Sequence, residues 1–442
     1  MLNQLLQTIG GMADARGAQV MLVGGAVRDQ LLGLAPLDWD LVVAGDSIAL
    51  ARAFADAQDG AFYVMDAERG VARVLIQGDP SQRVFDFVAR RGDSWLDDLS
   101  ERDFTINAIA RSLVDGMLYD PYGGADDLRA RLLRAVGPGS ILSDPVRAIR
   151  GVRLTFQFAL TIDPDTHAQM RAAAGFLDLP SAERLRDALF AALELPNASG
   201  ALQMLAQLGL LTPWLGPDSA AGLSPGMQRA LSALDGEIPA LCAGMPHVIQ
   251  EHVSEHLRTC VSDGRSRRAL LRAAVLFHTP TATMPARMFV YGESKLRLSA
   301  NELSTIRNTI AASQIALGEF AVTETSNKLQ IHSLMLAADT AAPEAILAAA
   351  ARAAADSAAP SPARAAALLS AYFDRYAPNV APRPLLTGRD LLDIGLRPGP
   401  EIGSLLAALR EAQMTDQIST RDDALTFVHT EAQARRSRLS RS

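Results

Sequence analysis

Apolar residues recur every three or four positions over Leu2–Arg16, and then the period shortens. The runs Gln19–Val23, Trp39–Val43, Val71–Ile76 and Arg83–Val88 are densely or alternately apolar, divided by Gly and Asp, and predict β-strands. After Pro138 the helical period returns. Asp144–Phe158, Ala182–Leu195 and Ser199–Leu211 read as helices, and no further strand is expected. An α/β head of residues 1–138 thus precedes a mainly helical remainder. Breaks fall at Leu195-Pro196-Asn197 and Gly216-Pro217-Asp218, and in the Ala/Pro-rich stretch Ala341–Pro362, which reads as an exposed helix or a linker.

Composition narrows the class. With 442 residues, 49% of them hydrophobic and 21% charged, the chain holds enough apolar material for several cores and is neither disordered nor fibrous. Cys242 and Cys260 are too few for a disulfide framework and lack metal-ligand spacing, so reduced thiols are expected. The net charge of −7 argues against a protein coated in positive potential. The acidity sits in front, where residues 1–150 hold 15 arginines against 21 acidic residues. Lys295 and Lys328 are the only lysines, so nearly every cation is a guanidinium able to fork onto phosphate or a base edge. The N-terminal segment lacks the charge and apolar run of a secretion signal, and no membrane-length apolar run is seen, so a cytoplasmic protein is expected.

The candidate chemistry lies in Val20–Gly45. An apolar strand runs into Gly24-Gly25, after which AVRDQLL opens a helix, an arrangement that lets backbone N–H groups approach a phosphate. Asp38 and Asp40 begin the next strand two residues apart, so both carboxylates share one face. Like charges held together beside a phosphate loop are accounted for by Mg2+ between them and a triphosphate. Asp86, between two phenylalanines in RVFDFV, is the candidate third carboxylate.

These residues carry a resemblance. LVGGAVRD, LLG and DWD resemble the first motif of class II tRNA nucleotidyltransferases and bacterial poly(A) polymerases, whose heads are of the DNA polymerase beta-like nucleotidyltransferase type. ERDFTINAIA (101–110), DPYGGADDL (120–128) and SDPVRAIRGVR (143–153) resemble the blocks that follow in that family, and Pro384–Gly403 resembles the tail of many members. The implied fold is α+β: a mixed-sheet head over 1–138, then an all-α neck (139–200), body (201–315) and tail (316–442).

The resemblance implies a division of work. Gly24, Gly25 and Arg28 would hold the triphosphate, Asp38, Asp40 and Asp86 the metal, and Arg102, Asp103 and Asn107 the triphosphate and ribose. As local structure alone, Asp103 reads as the N-cap of a helix FTINAIARSL. Asp144 and Arg147, three apart on one helix, offer an acceptor beside a donor, which matches cytosine and adenine but not guanine or uracil. Arg150 and Arg153 follow on that helix and join the nucleotide-binding set. Ser143 and Glu101 depart from the family, which usually has Glu and Arg there; loss of the Glu is expected to leave Arg147 less firmly oriented.

Residues 247–315 resemble an HD-type body, but Thr279 follows His278 where a metal-binding Asp would stand. His252 and His256 share a helix face and read as packing or surface residues without a carboxylate partner, so no metal-dependent phosphohydrolase activity is expected. The expected function is Mg2+-dependent addition of CCA, or part of it, to tRNA 3′ ends from CTP and ATP with release of pyrophosphate. Poly(A) polymerase and a catalytically inactive RNA-binding homologue are the alternatives.

Overall fold

Apolar alternation over residues 19–89 builds one mixed sheet in the computed structural model, which describes residues 2–36, 38–77, 83–216, 219, 222–262, 264–278, 296–321, 328–355, 362–377 and 382–439. Its strands are β1 (Gln19–Val23), β2 (Asp38–Ala44), β3 (Ala61–Asp66), β4 (Val71–Ile76), β5 (Arg83–Ala89), β6 (Ala110–Ser112) and β7 (Leu118–Tyr119). They lie in the order β3-β4-β5-β2-β1-β6-β7. Only β2 and β5 pair in parallel, joined by a crossover that contains a helix and two strands.

Helices α1 (Leu2–Asp14) and α3 (Ser47–Gln58) pack on one face, where Trp39, Leu41 and Val43 of β2 meet Phe85 and Phe87 of β5 and Phe54 of α3. Phe54 meets Phe85 edge-on at 5.3 Å, and Trp39 stacks on Phe85 at 6.3 Å. Strand alternation turns Asp38, Asp40 and, directly across from Asp40, Asp86 to the opposite face. Between β1 and β2, α2 (Gly25–Leu31) starts at the glycine pair.

The helix expected over 104–113 does not form. Thr105–Asn107 make a single 3₁₀ turn and Ala110–Ser112 join the sheet as β6, with Leu22 opposite Arg111. Tertiary contacts override local propensity here: Thr105 N donates to Arg134 O at 2.9 Å, and its hydroxyl donates to Asp127 at 2.7 Å. Asp127 belongs to the DPYGGADDL block, whose Asp120 caps α5 (Gly124–Arg129) by accepting from Gly124 N and Ala125 N. That block is therefore a clamp on the turn carrying Asp103 and Asn107. Nor do strands end at Pro138: Leu132–Leu133 pair with Thr161–Ile162, and Cys260–Ser262 with Arg265–Ser266.

The chain divides into two units, Met1–Leu195 with Met204–Gly222, and Pro196–Gln203 with Leu223–Ser442. Within the first, α6 (Val146–Phe158), α7 (Pro164–Ala173) and α8 (Ala182–Leu193) follow the sheet.

Among its described residues the second unit is helical apart from one short strand pair. The Ala-rich stretch corrects the sequence reading: Ala342–Ala355 is a core helix with nearly every residue buried, because small side chains let neighbouring helices approach closely. By length and composition Lys328–Ala355 is apolar enough to cross a membrane (mean hydropathy 1.4), but 78% of the apolar window is buried inside the protein. Glu344, wholly buried on this helix, accepts from His256 Nε2 at 3.0 Å and Arg267 Nη1 at 2.7 Å, so His256 does have a carboxylate partner. Burial pushes the Glu344 carboxyl up, but His256 and Arg267 outweigh it and hold the group below its ordinary value. His252 packs 5.1 Å from Phe373. The part of the HD-like resemblance over 279–295 lies outside the described residues.

His278 is also buried, facing Arg352 and Gln314. Burial first and Arg352 second push its imidazole down to about 4. With a folded-state pKa below the unfolded value near 6.5, its contribution to stability is complete above that value and is lost as pH falls towards 4. Urea unfolding of His278→Gln is expected to lose about 2 kcal/mol less than the parent between pH 7 and 4.5. Equal losses in the two proteins would reject this.

Candidate active site

The site forms on the free face of β2, where the sheet's carboxylates meet the glycine turn. Gly24 caps α2 with φ 70° and ψ −133°, and its N–H donates to Ile109 O at 3.2 Å. A cavity of about 400 Å3 opens there, lined by Gly24, Gly25, Arg28, Asp38, Asp40, Arg102, Asp103, Asn107, Asp144, Arg147, Arg150 and Arg153, all named from the sequence, together with Arg91 and Glu101. Asp86 is not in the lining.

A chain of polar contacts fixes the floor. Arg28 Nη1 donates to Asn107 Oδ1 at 2.7 Å while its Nε and Nη2 bond Asp29, and its guanidinium lies 4.5 Å from the centre of the Phe158 ring. Asn107 Nδ2 donates to Asp103 Oδ1 at 3.0 Å, and Arg150 pairs with Asp103 Oδ2 at 3.1 Å. Asp103 also accepts from Phe104 N, a local cap with no helix behind it. Arg102 pairs at 3.2 Å with Asp98, a buried carboxylate that sequence reasoning missed and that also accepts from Arg91 N.

Cations dominate the wall. Burial, then the guanidiniums of Arg150 and Arg28, hold Arg153 below its ordinary value, and burial does the same to Arg147. Crowded, partly dehydrated arginines are a receptor for a polyanion, which relieves their repulsion.

Arg147 is firmly placed despite Ser143. Its Nη1 donates to Ser140 O at 2.7 Å and Arg102 O at 3.2 Å, and its Nη2 to Glu101 O at 2.6 Å. Three backbone carbonyls thus do the orienting expected of the family's Glu, and they tie Arg147 to the segment that carries Arg102. Asp144 stands 3.8 Å from Arg147 and accepts from Arg184 of α8 at 2.6 Å, a partner not foreseen.

The carboxylates suit a hard divalent cation, but in a particular way. Burial pushes Asp40 up, Arg102 opposes it, and Asp86 and Asp38 add to the rise. Among the described residues no three His, Cys, Asp or Glu side chains gather closely enough to enclose an ion, so Asp38, Asp40 and Asp86 do not close into one ligand set. Both Asp86 oxygens instead accept from Arg73, at 2.7 and 2.8 Å. Two oxygen donors on an open face fit Mg2+, which commonly takes one or two carboxylates and fills the rest of its shell with water and phosphate oxygens.

Comparison with known proteins identifies the family. Residues 20–134 match the family model "Poly A polymerase head domain", and residues 159–223 match "Probable RNA and SrmB- binding site of polymerase A". The chain is 31% identical over 425 residues to the CC-adding tRNA nucleotidyltransferase of Geobacter sulfurreducens, covering 95% of this chain and 94% of that one. It is 31% identical over 435 residues to the A-adding tRNA nucleotidyltransferase of Deinococcus radiodurans, covering 92% and 94%. The fold is that of the Thermotoga maritima CCA-adding enzyme solved with tRNA (TM-score 0.67, 21% identity, 97% and 95% covered). Close to a third of positions being identical over nearly the whole of both chains, the protein belongs to the tRNA nucleotidyltransferase family.

Proposed function

We propose that this chain is a Mg2+-dependent cytoplasmic enzyme that extends tRNA 3′ ends with CCA, or part of it, from CTP and ATP. The observation that carries this is one cavity holding three kinds of group together: paired carboxylates, a cluster of arginines and the Asp144–Arg147 pair. In this reading residues 1–138 are the catalytic head, 139–200 the base-reading neck, and 201–315 and 316–442 the parts that hold the RNA.

Gly24 and Gly25 leave room for the triphosphate, which Arg28, Arg102, Arg150 and Arg153 hold through charge-assisted hydrogen bonds. Asp103 and Asn107, rigidly linked, receive the ribose hydroxyls. Asp144 accepts from the exocyclic amine of C or A, and Arg147 donates to the adjacent ring acceptor. The RNA 3′-hydroxyl attacks the α-phosphorus and pyrophosphate leaves. Asp38 and Asp40 would hold Mg2+, whose charge would offset that developing on the phosphate and favour ionisation of the attacking hydroxyl.

The test uses tRNA lacking its 3′ end, with CTP and ATP supplied singly and together and product lengths read on a gel. Three added residues mean CCA addition, while two C or a single A mean a partial enzyme like the relatives from Geobacter or Deinococcus. A long A ladder or no extension rejects the proposal. Arg184→Gln, which frees Asp144, is expected to raise UTP use relative to CTP about tenfold, the worth of one charge-assisted hydrogen bond. An unchanged ratio of kcat/KM values would show that Arg184 does not position the base reader.

A further inference from the structure

Arg73, Asp86 and Asp40 form one row across three neighbouring strands. Arg73 of β4 stands opposite Asp86 of β5, and Asp86 opposite Asp40 of β2, so register alone puts all three on the face that carries the site. Arg73 Nε and Nη2 donate to the two oxygens of Asp86 at 2.7 and 2.8 Å, a bidentate fork that uses both ends of the carboxylate. Asp86 is therefore drawn towards β4 and away from Asp40. The fork is only partly exposed to water, with the Asp86 side chain 19% accessible. Asp86 is the first cause, and Asp38 and Asp40 are further ones, that hold Arg73 above its ordinary value, so the guanidinium answers to the whole acidic group.

We propose that Arg73 is a latch: it occupies the third carboxylate, so that the nucleotide-free chain offers a divalent cation Asp38 and Asp40 alone. This rests on the proposed assignment of Asp38 and Asp40 to the metal and deepens it. Three free carboxylates would concentrate about three negative charges on the face and trap a cation without substrate. With Arg73 in place the local charge is lower and the shell stays incomplete until phosphate oxygens fill it. Metal loading is thereby made dependent on the nucleotide. Arg73 is a positioning residue, acting through Asp86.

The readout is Mn2+ binding to the full-length chain without nucleotide, followed by the loss of the free-ion paramagnetic resonance signal. Arg73→Met is expected to bind Mn2+ about tenfold more tightly than the parent, from removal of one positive charge and release of one carboxylate near the site. Asp86→Asn alone leaves the Arg73 charge unopposed near the site and should bind Mn2+ several-fold more weakly than the parent. Combined with Arg73→Met, it should cancel the gain. Arg73→Gln gives the same test should the Met variant fail to fold. Unchanged or weaker binding in the Arg73 variants, or a double variant whose binding lies several-fold away from the parent's, overturns the latch. Asp40→Asn separates the two claims: if it leaves Mn2+ binding intact, the metal assignment itself is wrong, whatever Arg73 does.

Discussion

Asp40→Asn lowers nucleotide incorporation at least about 10³-fold, about 4 kcal/mol of lost transition-state stabilisation, while tRNA binding and folding are retained. The substitution keeps the shape of the side chain and removes only its charge. That charge is costly to the fold, because burial, Asp86 and Asp38 push the Asp40 carboxyl up and outweigh the opposing effects of Arg102 and Arg150. A group whose folded-state pKa is raised destabilises the protein in its ionised form, so the neutral variant melts at or above the parent's temperature. Activity and stability then move in opposite directions, which a structural role for Asp40 does not produce. Single-nucleotide incorporation, tRNA binding by fluorescence anisotropy and a thermal melt on the same preparation decide it. Turnover within tenfold of the parent would show that the reaction does not need this carboxylate.

The elements that build the site were legible because each had a strong local signal. β1 and β4 were read residue for residue, and β2 and β5 within one residue at either end, since continuous apolar runs bounded by Gly and Asp leave little ambiguity. β3 escaped because it is an edge strand with no buried face and hence no alternation to detect. β6 was read as helix because ERDFTINAIA is locally helical, and only Asp127 and Arg134, more than twenty residues away, force the turn. Ala342–Ala355 was misjudged for the opposite reason: alanine is uninformative about burial, and Glu344 looks like a surface residue until His256 and Arg267 are found beside it. At the site, the residues facing the cavity were legible apart from Arg91, and those behind them were not, apart from Asp86. Arg73, Asp98 and Arg184 act through pairing across strands or between helices, and only register reveals that. One clue did exist: Arg73 and Asp86 are each the central charge in an apolar run, which suggests that two such strands lie side by side.

Gly24→Ala is the companion prediction, because it tests the cradle rather than the carboxylates. At φ 70° and ψ −133° an L side chain is strained by about 1–3 kcal/mol. A Cβ there would also stand 3.0 Å from Arg102 Nη1 and 3.9 Å from Asp40 Oδ2, in the space between the arginine and the carboxylate. The methyl group thus enters the volume assigned to the phosphates and displaces the cation meant to hold them. A fall of about 10²-fold in kcat/KM for the incoming nucleotide is expected, about 2.7 kcal/mol. Gly33→Ala supplies the control, since Gly33 has a similar positive φ of 72° but no atom within 4 Å of its added Cβ. Both variants carry backbone strain and should melt a few degrees lower, but only Gly24→Ala should lose activity beyond what that instability explains. If the two lose activity alike, the glycine pair serves the turn's geometry alone, and the phosphates bind elsewhere in the cavity.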